Sequence, residues 1–303
     1  MELIKKLHRF AASKNKIYKI ECFFLRISIS LWTKIRLCGR LQFGIYTKNK
    51  RKEKIIISLT SYPARFKTIV PTLKSLLNQT MKPDRIIVWL SCARQDLTED
   101  MLALEQYGIE YRCDVEDLKS HKKYYWAFQE FHSDLVITVD DDVVYPVTLV
   151  SSLLKAHVRY PNCVCARRVH KMIYKNGMLL KYSEWEHDYV SESEPSKNLI
   201  ATGVGGVLYV PKLFCKDVFN VNAIKQLSLS ADDIWLKYME ILSDIDVVWA
   251  KNYMPHPIEV DGTQDTALRK LNVNENGNDK CVDCILSMYG AEVEKHLQGI
   301  PKA

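Results

Sequence analysis

Three consecutive aspartates, Asp140, Asp141 and Asp142, follow the apolar run LVITV, Leu135 to Val139. Carboxylates this close repel one another and raise one another's proton affinity unless a cation sits among them. A divalent ion resolves the conflict, and hard oxygen ligands select Mg2+ or Mn2+, which keep open positions for phosphate oxygens. A solvated acidic turn is the plain alternative. A second acidic pair, Asp232–Asp233, opens SADDIWLKYME, where cap chemistry after Ser230 would by itself explain one acid. Ahead of it lies TGVGGVLYV, whose Gly203, Gly205 and Gly206 would let a ligand approach the backbone closely, or simply pack a strand.

These groups need elements to hold them. From Lys54 onward short apolar runs alternate with helical periodicity, the mark of an α/β sheet with parallel strands. KIIISL (54–59), RIIVWL (85–90), Ile109 to Arg112 and LVITV read as four strands, and Asp246 to Ala250 reads as a last one. Helices are expected with apolar positions Ile69, Leu73, Leu76 and Leu77, over Thr98 to Tyr107 with Thr98 as cap, through Trp126 and Phe131, over Val147 to Tyr160, and over Ala231 to Leu242. Gly203 to Val210 reads as a glycine-led strand, and the hydrophilic stretch Tyr182 to Asn198 as an exposed loop or lid. Ligands of open α/β sheets bind beyond the carboxyl ends of the strands, where the three aspartates fall.

The chain has 303 residues, with 47% apolar and 10% aromatic side chains, enough for a sizeable core. Its net charge of +7 is unevenly spread: residues 1–54 carry 15 Lys/Arg against three Asp/Glu, leaving the remainder mildly acidic. That balance argues against nucleic acid as the partner of the folded part. Residues 1–53 form a basic amphipathic segment and 54–303 the α/β domain. The apolar stretch around Phe23, Phe24, Leu25 and Trp32 is interrupted by Arg26, too short for a spanning helix and without a signal-peptide cleavage site. It suits a helix lying on anionic headgroups, or one packed on the domain. Nine cysteines, an odd number, point to reduced thiols and a cytoplasmic site. Cys281 and Cys284 make a CxxC, for which Cys163 and Cys165 are the available extra zinc ligands.

VITVDDDVV, SLTSYPARF and TLKSLLNQTMKPDRIIVWLS together resemble the GT-A glycosyltransferases, in particular bacterial family 2 enzymes of capsular and lipopolysaccharide synthesis. The resemblance implies a Rossmann-type mixed sheet flanked by helices, with a DxD motif ending a central strand. It places Asp140 and Asp141 toward the nucleoside and makes Asp142 the principal ligand of Mn2+ or Mg2+, with Asp140 and a late His256 completing the shell. Thr60, Ser61, Tyr62 and Arg65 match the nucleobase-holding position, Tyr62 by stacking and Arg65 by reaching the base or a phosphate. Lys119 and Lys123 match a basic contact to the donor. An acidic pair about ninety residues after the DxD supplies the family's base, here Asp232 or Asp233. Gly205, Gly206 and Trp235 fall where an acceptor would lie, although Trp235 also suits a core. The implied reaction is inverting transfer of one sugar from a nucleotide-diphospho-sugar, UDP-linked above all, to a glycan or lipid-linked glycan at the inner membrane face. The processive Q-x-x-R-W motif is absent, which favours single transfer.

Two other classes fit parts of the sequence. A haloacid-dehalogenase-like phosphatase would use Asp140 as nucleophile, Asp142 as acid and Val144 in the last motif place. That motif normally follows a first strand, whereas here α/β pattern precedes it, and a trapped aspartyl-phosphate would decide. A non-catalytic sugar- or membrane-binding module would tolerate loss of Asp142.

Overall fold

Unbroken runs of Ile, Val and Leu have no polar face to show to water, so they form strands covered on both sides. β1 (Ile55–Thr60), β2 (Arg85–Trp89) and β4 (Leu135–Thr138) are largely such runs, whereas β3 (Ile109–Arg112), IEYR, alternates buried and half-buried residues at the edge of the sheet. After them come β5 (Val143–Val144), β6 (Val164–Ala166), β7 (Val169–Lys171), β8 (Tyr174–Lys175), β9 (Met178–Leu179), β10 (Leu199–Ala201), β11 (Val207–Tyr209), β12 (Val247–Trp249) and β13 (Ile258–Glu259). The helices are α1 (Val70–Leu77), α2 (Glu99–Leu102), α3 (Lys122–Glu130), α4 (Leu149–Arg159), α5 (Val221–Leu227), α6 (Asp232–Leu242) and α7 (Gly277–Leu297). The structure, a computed structural model, describes residues 41–47, 51–191, 194–252, 258–260 and 277–297. The basic segment therefore lies almost wholly outside the described residues, as does His256. Among the described residues no helix is long and apolar enough to cross a membrane.

Seven strands form one mixed sheet in the order β12-β6-β11-β4-β1-β2-β3. β1 pairs in parallel with β2 and β4, β2 with β3, and β12 with β6. β11 is antiparallel to both its neighbours, β4 and β6. Its entry, not its exit, therefore lies beside the end of β4, with Val207 paired to Thr138. That reversal brings the glycine turn before β11 next to the aspartates after β4.

Alternation along each strand fills a core on both faces. Ile56, Val136, Val207 and Tyr209 pack with Tyr124 and Phe128 of α3 and Trp235 and Tyr238 of α6. Ile57, Leu59, Ile137 and Leu208 pack on the other face with Leu73 and Leu76 of α1 and Leu149 and Leu153 of α4.

Three sequence expectations change. Thr98 does cap a helix, its hydroxyl accepting from the Met101 N–H at 3.4 Å, but α2 is one turn long and a 3-10 turn over Glu105–Tyr107 replaces the rest. The glycine-led strand begins only at Val207, because Gly203–Gly205 forms a 3-10 turn. Tyr182 to Asn198 is not a free lid in its described part: Trp185 and Tyr189 are buried, and Glu186 bridges to Lys171. Its polar composition hides two aromatic anchors.

Candidate active site

The acids after β4 alternate in direction, as residues leaving a strand must. Asp140 points toward the α3 and α6 face, where its carboxylate meets Lys123 Nζ at 2.7 Å. Asp141 turns to the α1 face and is buried, accepting from Ser61 Oγ at 2.5 Å and from Arg65 Nη1 at 2.5 Å. Thr72 Oγ1 of α1 donates to the Asp141 carbonyl at 2.9 Å. Asp142 turns back out, its carboxylate 3.1 Å from Arg65 Nη1. The outer two carboxylates thus retain exposure, 30% for Asp140 and 17% for Asp142, and the middle one does not.

Asp141, expected toward the nucleoside, is instead buried among protein partners, and Ser61 and Arg65 are occupied in holding it. The same strand-end alternation that frees Asp140 and Asp142 buries their neighbour. Thr60 Oγ1 donates to the Trp89 carbonyl, bracing β1 on β2, while Tyr62 is exposed with the Arg65 guanidinium 5.5 Å from its ring centre.

Lys123 is the hub of the opposite side. It is 4% exposed and also reaches Asp232 Oδ2 at 2.9 Å. Its helix is fixed to the sheet by Ser58 Oγ, which donates to the Lys123 carbonyl at 2.5 Å and accepts from Trp89 Nε1 at 2.8 Å. Asp232 and Asp233 open α6, where the helix dipole favours negative charge. Asp233 accepts the Gly203 N–H at 3.0 and 3.2 Å. Gly203 is the glycine whose lack of a side chain matters here: a Cβ would stand 2.7 Å from Lys123 Nζ, 3.2 Å from Asp233 Oδ1 and 3.3 Å from Asp140 Oδ1.

Gly205 and Gly206 do not face these acids. A Cβ on Gly205 would strike the Arg168 side chain and backbone, and one on Gly206 would meet Leu149, with φ at +87° besides. Close packing between the turn and its neighbours explains both. Trp235 is fully buried in the core and donates to the Val218 carbonyl at 3.3 Å, so it offers no acceptor platform. Lys119 is exposed and pairs with Asp117 at 2.7 Å, because α3 begins after it and carries only Lys122 and Lys123 inward. Tyr145, which the sequence reading passed over, ties the two motifs together: its hydroxyl accepts the Asp140 N–H at 2.8 Å and donates to the Val204 carbonyl at 3.2 Å. A tyrosine five residues beyond an acidic strand end was the available signal.

The electrostatics sort the acids. Burial and the neighbouring Asp140 push Asp142 up to about 6. Burial and Asp232 push Asp233 up to about 8. Burial would do the same to Asp232, but Lys123 and His121 outweigh it and hold this carboxyl below its usual range. Burial works against the charge on Lys123 and on Arg65, yet the surrounding carboxylates carry both above their ordinary values. Asp140 and Asp142 are thus the carboxylates left at the exposed mouth, with Lys123 and Arg65 behind them.

Among the described residues no three His, Cys, Asp or Glu side chains converge as a ready-made metal shell. The CxxC does not gather one either, with Cys281 buried on α7, Cys284 exposed and Cys165 within the sheet. Mg2+ and Mn2+ do not require such a shell: one or two carboxylates plus substrate oxygens suffice. Asp140 and Asp142, hard oxygen donors two residues apart on the open side, fit that need.

A comparison with curated protein sequences finds no match. Among solved structures, the mannosyltransferase PcManGT from Pyrobaculum calidifontis, determined with GDP-Man and Mn2+, is similar at 12% identity and a TM-score of 0.42, over 77% of this chain. This chain spans 64% of that protein's length. A 4-diphosphocytidyl-2C-methyl-D-erythritol synthase is similar at 11% identity and a TM-score of 0.42, over 73% of this chain and 99% of that one. A CMP:2-keto-3-deoxy-manno-octonic acid synthetase complexed with CTP gives 13% identity and a TM-score of 0.42, over 74% and 100%. In the family comparison, residues 55–208 match the description Glycosyl transferase family 2. That match runs from β1 into β11 over just more than half of the sequence, and the chain belongs to this family.

Proposed function

We propose that the chain transfers one sugar from a nucleotide-diphospho-sugar, a UDP-sugar by preference, to a surface-glycan acceptor by a metal-dependent inverting displacement. The observation that carries the reading is the meeting of two acid sets across Lys123: the outward Asp140 and Asp142 after β4, and Asp233 held on the Gly203 N–H. Asp140 and Asp142 would hold Mn2+ or Mg2+, which when bound would neutralise charge on the departing diphosphate. Tyr62, exposed at the end of β1, is the candidate for stacking on the base. The acceptor hydroxyl oxygen attacks the anomeric carbon, the bond from that carbon to the phosphate oxygen breaks, and its electron pair leaves with the diphosphate. The hydroxyl proton passes to a carboxylate. Asp233 suits that step better than Asp232, whose carboxylate is committed to Lys123 and more deeply buried. Lys123 keeps Asp140 and Asp232 at fixed separation throughout.

A lipid-linked acceptor, with the basic segment 1–53 resting on the inner face of the plasma membrane, belongs to the same proposal. Its support is the concentration of Lys and Arg among aromatics there. The test is hydrolysis and transfer with UDP-, GDP- and dTDP-sugars, with Mn2+ and after chelation. One donor should turn over only with the metal, and Asp142→Asn and Asp233→Asn should each abolish transfer. Metal-independent turnover would remove the metal from the reading, and a phosphorylated Asp140 after incubation with a phosphoester would replace it with the phosphatase one.

A further inference from the structure

Buried charges in this chain come with partners, with one exception among the described residues. Arg65 is paired with Asp141 and Asp142, Lys122 with Asp117, Lys123 with Asp140 and Asp232, and Lys237 with Glu240. Arg167, immediately after β6, is 4% exposed and has no carboxylate within ion-pair reach. Its one side-chain hydrogen bond goes to Ser152 Oγ of α4 at 2.5 Å. A guanidinium has five N–H donors, and isolating one from water without an anion is costly. Burial accordingly draws its pKa down to about 10, the opposite of what happens at Arg65.

The position is rigid. The Arg167 N–H donates to the Gly206 carbonyl at 3.2 Å, and its own carbonyl accepts from Trp249 Nε1 at 3.2 Å and Asn252 Nδ2 at 2.6 Å. The free nitrogens are not sealed in: the buried atoms that lack any partner include Arg65 Nε and Arg112 Nε but none of Arg167. Its residual exposure therefore includes the charged head. β6 stands two strands from β4 across β11, on the side away from β1 and β2. Two strand spacings put its backbone about 9.5 Å from the end of β4, and the bond to Ser152 holds the guanidinium at the first turn of α4, on the side of the sheet that the transferase reading leaves to the acceptor.

We propose that Arg167 is an anion-binding residue for the acceptor, which carries an oxyanion, a phosphate or a carboxylate, close to the hydroxyl that is glycosylated. The inference rests on the transferase reading and narrows its substrate class. Charge-assisted, bidentate recognition of an oxyanion is what a pre-positioned guanidinium does best.

The experiment titrates the full-length, chelator-treated protein with inorganic phosphate and, separately, with glucuronate, by calorimetry, and compares Arg167→Met and Arg167→Lys. Wild type should bind at least one of the two, Arg167→Met should bind it about tenfold more weakly or worse, and Arg167→Lys should fall between. Phosphate binding identifies a phosphorylated acceptor, and glucuronate binding a uronic-acid one. Without ligand, Arg167→Met should melt at or above the wild-type temperature, because it removes an uncompensated charge. No binding by wild type, equal binding by Arg167→Met, or a substantially less stable or unfolded Arg167→Met would each overturn the proposal; the last would make the guanidinium a structural prop. Donor hydrolysis by wild type tests the transferase reading separately, so the two failures are distinguishable.

Discussion

Replacing Lys123 by Met tests the electrostatic scheme most directly. Its ammonium, 4% exposed, lies 2.9 Å from Asp232, itself 10% exposed, and 2.7 Å from Asp140, 30% exposed. Breaking a buried pair by removing one partner typically costs about 3–5 kcal/mol, since the other charge stays behind. The half-exposed Asp140 contact adds at most about 1 kcal/mol. A loss of about 4 kcal/mol follows for Lys123→Met, or about 6 °C in melting temperature for a chain of this size. Adding Asp232→Asn removes the stranded charge, so the double variant should recover all but about 1–2 kcal/mol. Urea unfolding monitored by tryptophan fluorescence, at low salt and neutral pH, measures all three proteins. A single variant within about 1 kcal/mol of wild type, or a double variant no more stable than the single, would refute the claim that Lys123 neutralises these acids.

Three further outcomes are expected. Gly203→Ala should lower turnover about a hundredfold and also lower stability, by no more than the roughly 4 kcal/mol of Lys123→Met, because its Cβ would drive Lys123 Nζ from the acids, as donor-hydrolysis kinetics beside urea unfolding will report. Trp235→Phe should cost about 1–3 kcal/mol in urea unfolding and leave the acceptor KM unchanged, since the indole is buried in the core. His170 is buried beside Arg168 and His187, its Nδ1 accepts the Asp188 N–H at 3.0 Å, and its pKa is pushed down to about 3. The folded state thus holds fewer protons than the unfolded one below pH about 6.5, so this stability is complete above that pH and is lost on acidification. About 2 kcal/mol should go by pH 5, and His170→Gln should flatten that slope in denaturation curves across pH.

The sheet was legible because its central strands are apolar runs: β2 and β4 stop one residue short of the expected end and β1 is shifted by one residue, while β3, with its alternating IEYR, lies where Ile109 to Arg112 was read. The acids were legible as a cluster, and the direction each takes was implicit in the period of two at a strand end. Applied residue by residue, that period would have set Asp141 apart from Asp140 and Asp142. Partners distant in sequence were not legible. Nothing local to Arg65 says that its guanidinium meets Asp141, seventy-six residues on. Nothing local to Gly205 says that Arg168 fills the space beside it. Trp235 carries the same letters whether it faces a sugar or a core; only the packing of α6 on the sheet decides, and that depends on the whole fold. The short β5 and β13, two residues each, lie below the length at which periodicity has meaning.

Asp141 has a consequence for how the mouth of the site would meet the proposed ion. Clamped from beneath by a guanidinium and two hydroxyls, it fixes the turn on which its neighbours ride. The spacing of the outer oxygens is therefore set when the chain folds, and among the described residues no loop has to be ordered to bring Asp140 and Asp142 together. Exchange of one divalent ion for another should run at the pace of water leaving the metal rather than at that of protein motion, and preference among ions should follow radius, because the frame does not give.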